Sequence, residues 1–375
     1  MSTAATSSPP PDPDFDPSEV MASQAPALQL LVAMGWQYLS PAKARQLRGP
    51  RLLNVVLDDV LRDALKRINR IHTTTGEHLF SEENLSAAIQ RLKSVPYNGL
   101  LRTNEAVYDL LTLGTTLEQT IDGDSRGRSL RFIDWQHPLD NTFQVSPEFV
   151  VQRSRSQNTI RCDLVLFVNG IPLAVIECKA PHVEVGQAVA QVVGYQGESQ
   201  APHLFVMAQV LLAANGQEAR VGTVGSPAKF WSTWRDEGSD EATAQLLAKP
   251  LPREAQADLF ELVQRLSGAR AQPGVAEDPE PYFVARSITE QDRTVAAVLA
   301  PERLLALVFH YTVFDGGVRK VARYQQVRAI DRIMERIHHR ETTPTSAQRR
   351  TGGLVWHTQG SGKSLTMVML ARRLA

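Results

Sequence analysis

Two nearly unbroken apolar runs, residues 164–168 and 171–176, stand on either side of Asn169-Gly170. An Asn-Gly pair between short apolar runs predicts a β-hairpin. Neither run alternates with polar residues, which predicts strands buried on both faces. Residues 204–207 and 210–221 continue the sheet, with Asn215-Gly216 at a second turn. Helical spacing dominates elsewhere. Residues from about 25 to 95 carry apolar stripes, and the stretch 81–92 opens on a capping serine, Ser81. Gln187, Gln191 and Tyr195 fall four apart, on one face of a helix. Near the C-terminal end an apolar strand at 352–356 leads into a Gly-rich loop and a helix starting near Lys363. The Pro-rich residues 1–22 predict a disordered tail. Residues 268–290 read as a linker by composition. The fold class that follows is α/β: one unit over 23–267, in which helices flank a sheet, and the start of a second over 291–375.

Charges interrupt the hairpin at one end only. Asp163 opens the first run, and Glu177 and Lys179 close the second. Ionised groups at the end of a buried strand are costly unless compensated. A divalent metal held by Asp163 and Glu177 would compensate them, and phosphodiester cleavage needs such a site. Glu177 and Lys179 share a face, being two apart on a strand. A strict two-residue turn would pair Asp163 with Ile176 and put it on the opposite face from Glu177. Convergence therefore requires an odd shift, either a three-residue loop with a Gly bulge or a bulge nearer Asp163. With that shift, Asp163 and Glu177 would ligate Mg²⁺ and Lys179 would hold the water or the phosphorane. The plainer alternative is a structural Glu–Lys pair at a strand end.

The stretch from about Asp134 to Tyr195 resembles the nuclease core of the restriction (R) subunit of type I restriction–modification enzymes, within the PD-(D/E)xK nuclease superfamily. The matching text is Asp134-Trp-Gln-His-Pro-Leu-Asp-Asn141, Arg161-Cys-Asp163, Phe167-Val-Asn-Gly-Ile-Pro-Leu173, Glu177-Cys-Lys179 and Gln191-x-x-x-Tyr195. The resemblance implies a mixed sheet with flanking helices and adds Gln191 and Tyr195 to the catalytic set. It also implies double-stranded DNA as substrate, and modification (methyltransferase) and specificity subunits as partners. Cys162 stands where the family usually has Pro. An acid from the N-terminal helices, Glu82 or Glu83, is a further candidate for the metal.

The run His357-Thr-Gln-Gly-Ser-Gly-Lys-Ser364 departs from the usual P-loop pattern at its first position, where His357 replaces Gly. It resembles instead motif I of superfamily 2 helicases and translocases, which implies a RecA-like motor and ATP. Thr358, Gly360, Ser361 and Gly362 would form the phosphate cradle. Lys363 would meet the β/γ phosphates and the Ser364 hydroxyl the Mg²⁺. About forty residues upstream, Arg323-Tyr-Gln-Gln-Val-Arg-Ala329 resembles the Q motif of the same motors. Gln326, with Gln325 as the fallback, would read the adenine. No Walker B acid follows before Ala375, so the expectation is the N-terminal part of a longer polypeptide, without a complete ATP-hydrolysing site.

Composition adds little that is specific. Forty basic and forty acidic residues cancel, so any DNA contact must come from local patches. The candidates are residues 43–51, 153–155 and 349–350, each of which also reads as an ordinary solvated face. Two cysteines, the lack of a basic apolar leader, and the absence of a run near the roughly 18 apolar residues of a membrane helix predict a cytoplasmic protein with no membrane contact. The function that follows is a restriction subunit coupling ATP-driven translocation to Mg²⁺-dependent cleavage of duplex DNA. The alternatives are a repair-type helicase–nuclease and a non-catalytic DNA-binding module on a motor.

Overall fold

The computed structural model describes residues 16–235, 240–267, 286–338, 341–343, 346–349, 353–356 and 358–374. Most of the predicted tail, most of the predicted linker, and His357 and Arg350 lie outside them. A six-stranded mixed sheet forms the centre. Its strands are β1 (Gln37–Tyr38), β2 (Phe143–Gln152), β3 (Thr159–Val168), β4 (Ile171–Cys178), β5 (Val210–Ala214) and β6 (Ala219–Gly222), and they lie side by side in chain order. The β1–β2 and β4–β5 pairs are parallel and the other three antiparallel. Every residue of β4 is buried, as its unbroken apolar run requires.

The β3–β4 hairpin has a two-residue turn, with Asn169 at φ 52° and Gly170 at φ 78°. Gly170 is required on two counts, since a Cβ there would also come within 2.6 Å of the Leu57 carbonyl oxygen. Asn169 is fully buried, and its carboxamide holds the turn in place. It donates to Phe132 O (3.0 Å) and Asn141 Oδ1 (2.8 Å) and accepts from Thr142 N (2.8 Å). The Asp134–Asn141 segment is thus a polar clasp around the hairpin turn.

The odd shift is present, but in the strand and not in the turn. Val168 pairs with Ile171 and Phe167 with Pro172, whereas Leu166 pairs with Ala174, so Leu173 is an extra residue on β4. Beyond it Leu164 pairs with Ile176, and one further step sets Asp163 opposite Glu177.

The β5–β6 hairpin forms as predicted, with Gly216 at φ 86° in the turn. Residues 204–207 do not join the sheet. Pro202 starts a short helix, Pro202–Phe205, and Asn104 Nδ2 takes up the carbonyls of Val206 (3.0 Å) and Ala208 (2.9 Å) that a ladder would have used. Helix Val185–Tyr195 packs on β4 and β5, while segment 20–33 packs on β4 and β2. Residues 17–24, expected in or beside the tail, are helical.

The segment following the linker packs against this body. Gln291 donates to Ser23 O (2.9 Å) and accepts from Gly216 N (2.5 Å). Arg319 is buried between Tyr108 and Phe314 and donates to Thr223 Oγ1 (2.8 Å) and Asn104 Oδ1 (3.0 Å). Residues 291–321, expected to open the motor, therefore share the core of the preceding unit. No helix among the described residues is long and apolar enough to cross a membrane.

Candidate active site

Asp163, midway along β3, meets Glu177 and Lys179 at the C-terminal end of β4. Asp163 and Glu177 are almost fully buried. Asp163 Oδ2 accepts the Cys178 amide at 2.6 Å, which ties the end of β4 to the middle of β3. Glu177 Oε2 is buried with no hydrogen-bond partner. Lys179 Nζ donates to Cys178 O (3.0 Å) and Glu19 Oε2 (3.2 Å) and lies 3.8 Å from Glu177 Oε1.

The electrostatics follow from this crowding. Burial, with the charges of Glu148 and Glu19, pushes the Asp163 carboxyl up to about 8. Burial and then the Asp163 charge push Glu177 well above the usual carboxylate range. Burial opposes the charge on Lys179, but Glu177, Asp163 and Glu19 outweigh it and raise its pKa. Two carboxylates that resist ionisation, one with an unpartnered oxygen, beside a firmly charged lysine make a donor set suited to a hard divalent cation.

Helix Val185–Tyr195 supplies the next layer. Gln191 Nε2 donates to Tyr195 Oη at 2.5 Å. Burial, and after it the charge of Glu177, raise the pKa of the Tyr195 phenol. The four-residue spacing seen in the sequence is the geometry that lets the amide reach the phenol.

At the C-terminal end the Gly-rich loop forms a separate feature. Gly360 and Gly362 take φ 77° and 82°, and helix Lys363–Leu374 starts at the predicted residue. Ser361 Oγ donates to Thr358 O (2.7 Å), closing the loop, while Lys363 and Ser364 are exposed at the helix start. Residues 353–356 form no ladder, and Leu354 and Trp356 are exposed, because no described strand lies beside them. Gln326 is brought to the loop but turned into it. It accepts from Arg323 N (2.8 Å) and donates to Ser361 O and Gly362 O (both 3.3 Å). Gln325 instead lines the adjoining cavity, together with Gly360 and Ser361.

Two family models match the chain. Residues 16–230 match the family described as type I restriction enzyme R protein N terminus. This chain belongs to that family. Residues 325–375 match the SWI2/SNF2 ATPase family. The HindI endonuclease subunit of Haemophilus influenzae, a type I restriction enzyme, is 25% identical over 360 residues, covering 92% of this chain and 29% of that protein. A relative from Methanocaldococcus jannaschii is 26% identical over 271 residues, covering 71% of this chain and 23% of its own length. The SauCOLORF180P endonuclease subunit of Staphylococcus aureus, also type I, is 25% identical over 241 residues, or 63% of this chain and 20% of its own. The chain thus spans less than a third of the length of these relatives.

Within this R-protein unit, two acids beside the site were not singled out in the sequence. Glu19 ends the Pro17–Glu19 helix and bonds Lys179. Glu148 interrupts β2 at φ 52° and is held by Gln24 Nε2 (2.8 Å) and Arg161 Nε (2.7 Å), while Gln24 also donates to Asp163 O (2.8 Å). No local pattern marks either residue, since both reach the site through long-range packing. The predicted helical acids lie elsewhere. Glu82 is exposed and paired with Lys66 (2.5 Å) and Arg62 (3.3 Å), and Glu83 is exposed on the same helix. Cys162, in the place of the family's Pro, is buried and pairs with Phe149, and both cysteines are free thiols.

Proposed function

We propose that this chain carries the DNA-cutting centre of a type I restriction subunit and the opening of its ATP-driven motor. The observation that supports the nuclease half best is Glu177 Oε2, a buried carboxylate oxygen without a partner, beside the second buried acid Asp163. Leaving such a group uncompensated is unfavourable, and Mg²⁺ is the hard cation that fits these oxygens. Asp163 and Glu177 would hold it. When bound, Mg²⁺ supplies Lewis-acid polarisation of the scissile phosphate and acidifies a water. Lys179, kept charged by three acids, orients the attacking water and meets charge that builds on the phosphate. Tyr195 and Gln191 offer a phenol and an amide to the DNA backbone beside Glu177.

For the motor, Thr358, Gly360, Ser361 and Gly362 present the cradle, Lys363 meets the terminal phosphates, and Ser364 lies where a Mg²⁺-binding hydroxyl is needed. The substrate of the assembled enzyme is double-stranded DNA, and its partners are modification and specificity subunits.

The test uses full-length R chain in its assembled complex. Asp163→Ala or Glu177→Ala abolishes cutting while ATP turnover stays within about two-fold, because the two sites use separate residues. Lys363→Ala abolishes ATP turnover and, with it, cutting of distant DNA. Undiminished cutting by both acid variants refutes the nuclease assignment, and undiminished ATP turnover by Lys363→Ala refutes the motor assignment.

A further inference from the structure

Arg48 is a buried cation with nothing opposite it. Its side chain is 3% exposed, yet Nε and Nη1 have no hydrogen-bond partner. Its one close neighbour of note is the ring of Phe149, 4.5 Å beneath the guanidinium. The backbone is pinned, since Arg48 N donates to Ala44 O (3.2 Å) and Asn54 Nδ2 to Arg48 O (2.6 Å). The side chain is therefore delivered to this position by the turn after helix Pro41–Leu47. Burial and neighbouring Arg45 pull its pKa down to about 10, so the charge persists at neutral pH at a cost to folding.

Arg48 lines a cavity of about 380 Å³, together with Ser40, Arg45 and Arg161 and the acids Glu148, Asp258 and Glu261. The acids around the cavity are otherwise placed. Asp258 accepts the Tyr38 hydroxyl (2.5 Å), Glu148 is held by Gln24 and Arg161, and Glu261 is exposed. Arg161 Nε forms an ion pair with Glu148 Oε2 (2.7 Å), and the rest of its guanidinium carries four further N–H donors. Arg161 also stands two residues before Asp163 on β3. Arg161, on the cavity wall, thus stands about 7 Å along the strand from Asp163 and on the same face. One nucleotide advances about 3.4 Å along the duplex axis, so this is a step of one or two phosphates from the scissile one.

We propose that this cavity is a phosphate subsite, in which Arg48, Arg45 and Arg161 take a backbone phosphate of the DNA strand next to the one being cut. The proposal rests on the nuclease reading for its position, while the chemistry of the cavity stands on Arg48 alone. A planar fork with free Nε and Nη donors suits phosphate oxygens, and the apolar floor of Phe149 strengthens the attraction by excluding water.

Inorganic phosphate is the first probe. Thermal unfolding of the full chain in phosphate is compared with chloride at matched ionic strength, for wild type and for Arg48→Met, which keeps the apolar stem over Phe149. The expected result is a wild type stabilised by several degrees in phosphate. The variant melts as high as wild type or higher in chloride, because an unpaired buried charge is gone, and does not respond to phosphate. A variant that melts several degrees lower in chloride shows Arg48 to be a structural cation and overturns the proposal. So does a variant that responds to phosphate as wild type does.

The second probe is a short duplex, followed by fluorescence anisotropy without divalent metal. Arg48→Met weakens duplex binding about ten-fold and lowers the salt slope by about one. Loss of the phosphate response with unchanged duplex affinity assigns the cavity to free phosphate and overturns the DNA assignment. None of these readouts involves cutting, so failure of the nuclease reading appears separately, as an Asp163→Ala enzyme that still cleaves.

Discussion

Asp163 receives the Cys178 amide at 2.6 Å, and this bond marks the place where two strands deliver their acids to one face. It exists because Leu173 is an extra residue on β4. Without the bulge, the two-residue turn at Asn169-Gly170 would set Asp163 opposite Ile176. Deleting Leu173 should therefore keep the turn and abolish divalent-metal affinity. Titration of Mn²⁺ by electron paramagnetic resonance measures this, and wild-type affinity in the deletion would show that the bulge does not position the site.

Stability without metal should fall as pH rises. Asp163 and Glu177 have folded pKa values above their unfolded values of about 4, so the folded chain binds more protons between those limits. Their contribution is present at low pH and is lost as pH climbs toward about 8 for Asp163. The slope is at most about 1.4 kcal/mol per pH unit for each group. Denaturant unfolding in chelator from pH 5 to 8 should show the decline. Asp163→Asn with Glu177→Gln should flatten it, and an equally steep double variant would mean that other groups set the slope.

Neutralising either acid should also stabilise the metal-free chain. Glu177→Gln removes a buried carboxylate that has one oxygen unpartnered, a gain of about 1–3 kcal/mol at pH 8. Added Mg²⁺ should raise the melting temperature of wild type and leave the variant unchanged. Equal responses to Mg²⁺ in both proteins would place the cation elsewhere.

The two loop glycines should differ in their tolerance of a side chain. A Cβ on Gly362 would lie 2.6 Å from Gln326 Nε2, whereas one on Gly360 meets nothing within 4 Å. Both take positive φ, so each alanine costs about 1 kcal/mol in backbone strain. Gly362→Ala must in addition displace Gln326, and should weaken binding of a fluorescent ATP analogue at least about ten-fold more than Gly360→Ala does. Equal losses would show that Gln326 yields freely.

The sequence by itself determined the elements that depend on local chemistry. Asn169-Gly170 fixed a turn because both residues tolerate positive φ. The apolar runs around it fixed buried strands, and the three charges at one end marked the site. Gln191 and Tyr195 were legible as a pair because four residues make one helical turn. Gly360, Gly362 and Lys363 located the loop and the helix start for the same kind of local reason.

Only the tertiary structure decided what depends on distance in the chain. Residues 163–177 left the odd shift open between the turn and the strand, and the structure puts it at Leu173, next to Pro172, which has no amide to give to β3. Glu19 and Glu148 came to the site by packing of segments about 160 and 30 residues from Glu177, whereas Glu82, with the more conspicuous local pattern, was drawn into surface pairs with Lys66 and Arg62. Residues 204–207 read as a strand by composition and became the end of a helical turn, with the Phe205 and Val206 carbonyls taken by Asn104. Residues 291–321 read as part of the next unit and joined this one through Gln291 and Arg319. Propensity and spacing act over a few residues, but burial, hydrogen-bond satisfaction and charge pairing are settled by whichever distant segment arrives.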